Sequence, residues 1–306
     1  MPMAVRMDRY GGREVLYTAD VDRPVPGPDE VLVQVRAAGT NPAETKIREG
    51  AMSGMWPADF PQGQGSDLAG TVVELGPDVD SLSEGDEVLG YVDNRSGQAE
   101  FAAVPTAHLT PRPQGMPWEV AGSLKVAGTT AWAGLDALGI RPGDTLVIAG
   151  ATGGVGSFAV QLAKRAGATV IGIAGEEHQG WLVEHGAIPI AYGPGVADRI
   201  HDAAPGGVDA FLDAFGADYV QLAVELGVRP ERVATIVDRA GADRYGARFA
   251  TGGMVPMPET LRDLADLVVT GEVEAPVAGT YPLDQVADAY RQLEQGHPQG
   301  KIVLVP

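Results

Sequence analysis

The stretch from Leu146 to Gly175, LVIAGATGGVGSFAVQLAKRAGATVIGIAG, decides the fold. It begins with a short apolar run, passes through a glycine-rich turn and an amphipathic segment that Gly167 closes, and ends in a second run rich in β-branched residues. Strand, turn, helix and strand within about 30 residues form a βαβ unit. Strand-like and helical segments continue to alternate up to residue 254, which predicts a doubly wound parallel sheet of six strands.

The glycine-rich turn predicts a dinucleotide site. The start of a helix presents unpaired N–H groups and a partial positive charge, and a pyrophosphate binds there only if no side chain blocks the backbone. Gly153 and Gly154 allow that approach, and Gly156 lets the helix pack against the strand. Ala151 stands where the strict pattern has a glycine, so the fit is A-x-G-G-x-G. The predicted phosphate-binding residues are Thr152, Gly153, Gly154 and Val155.

The end of the second strand bears on which dinucleotide binds. An NAD site usually carries Asp or Glu there, to bind the ribose 2′-hydroxyl. This strand ends at Gly175 without an acid, which leaves room for a 2′-phosphate and favours NADPH. Glu176 and Glu177 follow; they would repel that phosphate if they pointed inward, or they begin the next helix, where acids suit the dipole. His178 is either a phosphate contact or a solvated helix residue.

Composition excludes several classes of function. The 306 residues include no cysteine, which rules out disulfides, thiolate zinc sites and a cysteine nucleophile, and fits a reducing cytoplasm, the predicted location. The formal net charge of −19 is unsuited to nucleic acid or anionic lipid. There is no signal peptide pattern and no apolar run of roughly 18 residues, so no membrane partner is expected. The five histidines form no metal-like cluster; they are His108, His178, His185, His201 and His297.

The flanking segments predict a second domain. Residues 1 to about 120 carry short strands separated by proline and glycine turns, which indicates a small barrel-like domain. After residue 255, two helices are predicted and then a last strand that returns to pair with the N-terminal domain. These elements are the strands Val31–Arg36, Asp67–Glu74 and Glu87–Gly90, the helices Glu259–Thr270 and Leu283–Leu293, and the strand Ile302–Val305. The predicted domains are therefore 1–120 with 255–306, and 121–254.

Six further motifs run along the chain. They are AAGTNPAE (37–44), GSDLAGTV (65–72), EGDEV (84–88), QAEF (98–101), GTTA (128–131) and GKIVL (300–304). With the glycine turn, they make the chain resemble, over nearly its full length, the zinc-independent, zeta-crystallin-like quinone oxidoreductases of the medium-chain dehydrogenase/reductase superfamily. The resemblance implies a mostly β, GroES-like barrel domain beside the Rossmann sheet, a reaction in the cleft between them, and a homodimer formed through the edge of the nucleotide-domain sheet.

The resemblance also implies roles for residues outside the glycine turn. Asn41 lies near the nicotinamide, where its amide could donate to an oxygen that gains negative charge; the alternative is that it only fixes the loop before Pro42. Thr129 and Thr130 contact the nicotinamide side of the cofactor, or one of them caps a helix around Trp132–Leu138.

On the adenosine side, Tyr192 lies beside the phosphate or merely packs on a helix, and Phe215 closes over the cofactor. Asn41 and Ser66 stand where zinc-dependent relatives have a cysteine and a histidine. Neither is a usual zinc ligand, so no metal is expected.

The predicted function is hydride transfer from NADPH to a small-molecule acceptor, a quinone or an α,β-unsaturated carbonyl. The cofactor supplies the chemistry, and the protein supplies orientation, exclusion of water and a dipole at the developing oxyanion. Two alternatives remain open: an enoyl reductase of a biosynthetic pathway, and a cofactor-binding structural protein with little turnover.

Overall fold

A computed structural model of the chain describes residues 1–296 and 298–306; His297, considered above as a ligand, lies outside the described residues. The chain divides into two compact units. Unit 1 comprises Met1–Val126, Pro256–Glu272 and Val277–Pro306, and unit 2 comprises Ala127–Val255 and Val273–Pro276. The short segment Val273–Pro276 belongs to unit 2 although the chain on both sides of it belongs to unit 1, which the sequence does not anticipate.

The elements are numbered in chain order. The strands are β1 Met3–Met7, β2 Tyr17–Asp20, β3 Glu30–Gly39, β4 Gln62–Gly63, β5 Asp67–Leu75, β6 Glu87–Tyr91, β7 Phe101–Pro105, β8 Leu109–Pro111, β9 Thr145–Ala149, β10 Thr169–Ala174, β11 Ile188–Ala191, β12 Ala210–Asp213, β13 Val233–Thr235, β14 Arg248–Phe249, β15 Val277–Pro282 and β16 Lys301–Val305. The helices are α1 Pro42–Arg48, α2 Trp118–Ala121, α3 Leu124–Leu138, α4 Gly154–Arg165, α5 Gln179–Glu184, α6 Val196–Ala203, α7 Tyr219–Glu225, α8 Arg239–Tyr245, α9 Glu259–Val269 and α10 Val286–Glu294.

Unit 2 is built on a parallel sheet. Its six strands among the described residues lie in the order β11-β10-β9-β12-β13-β14, which is the arrangement of a complete dinucleotide fold and confirms the prediction. The central strand β9 is buried from Leu146 to Ala149, as expected where helices cover both faces of a sheet. Val147, Ile171 and Phe211 belong to the core cluster of this unit.

Helix α4 follows β9 directly. Gly153 is its N-cap, in extended conformation, and all eight residues from Gly156 to Ala163 are buried. Gly167 has φ +85°, a left-handed conformation that side chains other than glycine's rarely adopt, so it ends the helix as predicted.

Unit 1 is mostly β, as predicted. A seven-stranded sheet runs β15-β16-β3-β5-β6-β8, with β7 also paired to β3, and a three-stranded sheet runs β2-β1-β4. The long strand β3 is the centre of the larger sheet because it pairs with β5, β7 and β16. The last strand, β16, pairs antiparallel with β3 through Val303 and Gly39, so the predicted return of the C-terminus is confirmed.

One predicted helix boundary is wrong. Helix α3 begins at Leu124, well before Trp132, so Thr129 and Thr130 lie inside the helix and neither caps it. The buried side chains of Leu124 and Ala131 explain the difference, since packing carries the helix through residues of modest helix propensity.

Candidate active site

The glycine turn leaves the start of α4 open. A β-carbon built on Gly153 would meet only the Gly150 carbonyl oxygen within 4 Å, at 3.5 Å. A β-carbon on Gly156 would lie 2.0 Å from the same oxygen. Gly156 is therefore demanded by packing, as predicted, whereas Gly153 has space beside it. Gly153, Gly154 and Val155 are all half-buried, and Thr152 is buried.

This helix start suits a diphosphate. The N-cap residue Gly153 has no side chain that could bond to the first N–H groups, and the first turn of α4 contains no acidic residue. The first N–H groups of a helix have no partner within the helix, and the twelve residues of α4 give it a full dipole. The residues present therefore fit the phosphates of a dinucleotide.

An aromatic cluster lies beside the turn. The rings of Tyr192 and Phe215 are 4.7 Å apart, and Tyr219 adds a third ring, 6.4 Å from Tyr192. Burial raises the pKa of Tyr192 far above its usual value, although a backbone hydrogen bond with Gly150 opposes the shift. Tyr192 is therefore an uncharged phenol. Phe215 is 40% exposed, and its β-carbon would be 3.4 Å from one built on Gly150.

Asp213, which the sequence analysis does not single out, holds the turn at Phe215. One carboxylate oxygen accepts from the N–H groups of Phe215 and Gly216, at 2.9 and 2.7 Å. The other accepts from the Thr235 hydroxyl at 2.8 Å. Burial raises the pKa of Asp213, and these hydrogen bonds oppose the rise. The sequence signal for this role is an Asp at the end of an apolar strand, two residues before Phe215-Gly216.

The carboxylate of Glu177, a residue beyond β10, lies against the end of that strand. Gly175 is followed by a 3-10 turn, Glu176–His178, rather than directly by α5. A β-carbon built on Gly175 would lie 2.4 and 2.6 Å from the two carboxylate oxygens of Glu177. His178 Nε2 is 3.6 Å from one of those oxygens, and its ring is mostly buried.

Several of the predicted cofactor residues of unit 2 follow the ends of its parallel strands. Gly150, Gly175 and Tyr192 each follow the last residue of a parallel strand, and Phe215 follows β12 by two residues, so all lie along the carboxyl edge of the sheet. Thr129 lies inside α3, is fully buried, and faces Gly252, three residues after the end of β14. Its hydroxyl oxygen would be 2.3 Å from a β-carbon on Gly252, which explains the glycine there.

In unit 1, Asn41 is the N-cap of α1 and part of a capping box with Glu44. Its side-chain nitrogen donates to Glu44 Oε1 and Asp67 Oδ2, both at 3.2 Å, and its side-chain oxygen accepts from the Lys301 ammonium. A carboxylate only accepts and an ammonium only donates, so the orientation of the amide is fixed. Both amide hydrogens of this buried side chain are engaged within the protein.

Glu44 gathers donors at the centre of the same cluster. It accepts from the N–H groups of Asn41 and Ser66, at 3.0 and 2.9 Å, and from the Tyr290 hydroxyl at 2.6 Å. Complete burial raises the pKa of Glu44, and the bond from Tyr290 opposes the rise. Burial also raises the pKa of Tyr290, and the neighbouring Glu44 carboxylate adds to that shift.

The residues at this position do not fit zinc. The Lys301 ammonium donates to Thr40 O at 2.8 Å, to Asn41 Oδ1, and to Asp67 Oδ2 at 3.3 Å. A lysine ammonium therefore already takes the oxygen atoms that a metal would need. Among the described residues, no group of three His, Cys, Asp or Glu side chains is placed to hold a metal ion. The sequence motifs contained Asp67 and Lys301, but nothing local linked them.

Lys125, near the start of α3, is half-buried. Its ammonium lies 3.8 Å from the centre of the Tyr91 ring, and burial lowers its pKa. The His108 ring stacks on Tyr91 at 4.1 Å.

Along residues 1–296 and 298–306, no helix combines the length and apolar character that crossing a bilayer requires.

Comparison with known proteins agrees with this arrangement. Residues 27–114 match the alcohol dehydrogenase GroES-like domain, and residues 191–304 match the family described as zinc-binding dehydrogenase. The chain is 30% identical to an Arabidopsis thaliana NADPH-dependent alkenal/one oxidoreductase, over 97% of the chain and 78% of that protein. It is 28% identical to the quinone oxidoreductase of Mus musculus, over 99% and 97%. A solved NAD-dependent alcohol dehydrogenase superposes with TM-score 0.89 at 28% identity, and both chains are covered completely.

Proposed function

The chain belongs to the quinone oxidoreductase-like members of the medium-chain dehydrogenase/reductase superfamily and is an oxidoreductase, and from this premise we propose that it transfers hydride from a reduced nicotinamide dinucleotide to a quinone or an α,β-unsaturated carbonyl. The observation that carries the proposal is the open start of α4, where the N-cap residue Gly153 has free space beside its backbone and carries no side chain that could cap the helix.

The bound nicotinamide would supply the hydride, and the protein's residues bind and orient it. Gly153, Gly154 and Val155 would hold the diphosphate through their backbone N–H groups, with Thr152 beside them. Tyr192 and Phe215 offer two rings against which the adenosine half can pack, and the buried Asp213 keeps the Phe215 turn in place. Thr129 is proposed to contact the nicotinamide half.

Asn41 is proposed to act on the acceptor, and the geometry defines how. To donate to the acceptor oxygen as negative charge develops, the amide must release one of the hydrogens now shared with Glu44 and Asp67. The Lys301 ammonium on its carbonyl oxygen polarises the amide and strengthens it as a donor. We further propose that the reaction needs no zinc, because this ammonium takes the oxygens of the position.

Turnover with an acceptor distinguishes this proposal from the alternative, a cofactor-binding structural protein with little turnover. The relatives named for quinones and for alkenals or enones support an electron-poor acceptor, and an enoyl thioester belongs to the same chemical class. The sequence favours NADPH, the cofactor for which the Arabidopsis relative is named.

The test is oxidation of NADPH and of NADH with a panel of quinones, enones, enoyl thioesters and saturated ketones. We expect turnover with the quinones or enones and none with the saturated ketones, and no change when chelator is added. Tight cofactor binding without oxidation by any acceptor would favour the binding module. Failure to bind either nucleotide would refute the proposal.

A homodimer and a cytoplasmic location complete the proposal. The dimer is proposed to form through β14, an edge strand of the six-stranded sheet. Sedimentation velocity should give twice the mass of the 31.8 kDa chain, and a monomer at micromolar concentration would contradict the dimer.

A further inference from the structure

The carboxylate of Glu177 occupies the space that a side chain on residue 175 would fill. Both of its oxygens lie within 2.6 Å of the β-carbon position of Gly175, so the side chain folds back over the end of β10. The Glu177 side chain is 62% exposed, and its negative charge is the smallest of the causes that raise the pKa of Tyr192. The acid missing from the strand end is thus supplied from two residues further along.

In dinucleotide folds, the residues at the end of the second strand, which is position 175 here, commonly distinguish NAD from NADP. The residue at the end of the second strand meets the adenosine ribose, and a carboxylate there accepts a hydrogen bond from the 2′-hydroxyl. The same carboxylate repels a 2′-phosphate, because two like charges in one partly desolvated site disfavour each other. Glu176, one residue away and exposed, adds a second negative charge to the turn.

Among the described residues, the basic side chains near the end of β10 are either absent from the local sequence or already engaged. Between Gly172 and Ala187, all described, the chain contains neither Lys nor Arg. Arg199 lies nearby, but its two terminal nitrogens donate to the carbonyl oxygens of Ala191, Tyr192, Gly193 and Pro194. His178 lies beside Glu177 at 3.6 Å, so any positive charge on its ring is opposed by that carboxylate.

We propose that Glu177, folded over Gly175, is the specificity-determining residue of the nucleotide site and makes the enzyme prefer NADH to NADPH. The inference rests on the nucleotide site of the proposed function and reverses the NADPH preference that the strand sequence alone predicts. Gly175 is needed for this arrangement, since a side chain at position 175 would displace the Glu177 carboxylate.

The test measures the dissociation constants of NADH and NADPH without acceptor, by quenching of protein fluorescence. The wild type should bind NADH at least about tenfold more tightly, as a charged hydrogen bond gained with one nucleotide and a repulsion added with the other imply. Glu177→Gln should bring the two constants within about threefold, by weakening NADH and strengthening NADPH. Glu176→Gln is the matched control because it removes the same charge one residue away, and it should keep most of the preference.

Gly175→Ala provides an independent arm. The backbone of Gly175, with φ −60°, accommodates alanine, but the new methyl group would displace the Glu177 carboxylate. The preference for NADH should therefore shrink as in Glu177→Gln, although the net charge is unchanged.

The outcomes are separable. A wild type that binds NADPH as tightly as NADH, or equal shifts in Glu177→Gln and Glu176→Gln, would overturn the inference while leaving the nucleotide site intact. Binding of neither nucleotide would instead refute the proposed function.

Discussion

Three ionisable side chains of unit 1 are buried in one cluster. Lys301 is 7% exposed and Asp67 1% exposed at their side chains, and Glu44 is enclosed beside them. The Lys301 ammonium thus pairs with the Asp67 carboxylate away from water, and the Glu44 carboxyl group is buried in the same cluster. Breaking such a group leaves an uncompensated charge, which costs far more than losing an exposed ion pair.

Replacing the buried cation should destabilise the protein strongly. In Lys301→Met, Asp67 and the Asn41 carbonyl oxygen lose their shared donor, and the free energy of unfolding should fall by about 3–5 kcal/mol. Arg291→Met is the control, because Arg291 and Asp288 form an exposed pair within α10, and it should lose no more than about 0.5 kcal/mol. Urea unfolding measures both, and equal losses would contradict the argument.

Glu44 predicts a pH dependence of stability. Its pKa is raised in the folded protein, so the folded state holds the proton more tightly than the unfolded chain does. Stability should therefore fall as pH rises from the ordinary value of 4.5 through the raised pKa, by up to about 1.4 kcal/mol per pH unit. Glu44→Gln should lack this part of the slope. Urea midpoints across that range test it, and the same slope in both proteins would remove Glu44 as the cause.

Among the elements, α4 makes the clearest separation between binding and folding. Gly153→Val adds a side chain where the only neighbour within 4 Å of the β-carbon is the Gly150 oxygen, so the protein should fold with near wild-type stability. The valine would cover the helix start, and NADH and NADPH affinity should fall at least about 100-fold, the loss of a few kcal/mol of phosphate binding. Calorimetric titration measures this, and unchanged affinity would show that the turn is not the phosphate site.

Gly156→Ala should behave in the opposite way. Its methyl group would lie 2.0 Å from the Gly150 oxygen, so the first turn of α4 must move off β9. Overpacking of this kind typically destabilises by about 1–3 kcal/mol. A lower thermal midpoint is expected before any nucleotide is added, and an unshifted midpoint would mean that the turn has room to relax.

At the scale of elements, the sequence predicts the features that depend on residues close together in the chain and misses those that depend on distant residues. The turn between β9 and α4 was predictable because its glycines act within seven residues of one another, Gly150 to Gly156. The start of α3 was not, since burial of Leu124 rather than a local cap decides it. The Lys301 partners lie more than 230 residues away along the chain, and the fold-back of Glu177 depends on a side-chain conformation.

For the whole molecule, the notable feature is the segment Val273–Pro276. Gln161 in α4 holds it by accepting from the Glu274 N–H at 2.6 Å and donating to the Glu274 carbonyl at 2.9 Å. Trp181 and His185, whose rings stack at 3.9 Å, both reach the Glu274 carboxylate, at 3.2 and 3.0 Å. Four residues of chain are thus fixed to unit 2 by a backbone clamp and a side-chain anchor.

The clamp should outweigh the anchor in stability. Gln161→Leu leaves the Glu274 N–H and carbonyl without their partner and should lower the free energy of unfolding by about 1–3 kcal/mol. Glu274→Ala removes a carboxylate that is more than half exposed and keeps the backbone clamp, so its effect should be below about 1 kcal/mol. Thermal unfolding of the two variants decides the order, and a larger loss in Glu274→Ala would reverse the assignment.

This arrangement limits how the protein can be taken apart and recombined with its relatives. A fragment of residues 127–255 would lack the segment Val273–Pro276. The side-chain amide of Gln161 and the indole N–H of Trp181 would then lose their hydrogen bonds to Glu274. Chimaeras that exchange the nucleotide half should therefore transplant two pieces of sequence together. A graft of the longer piece alone should fold poorly even when every residue in it is native.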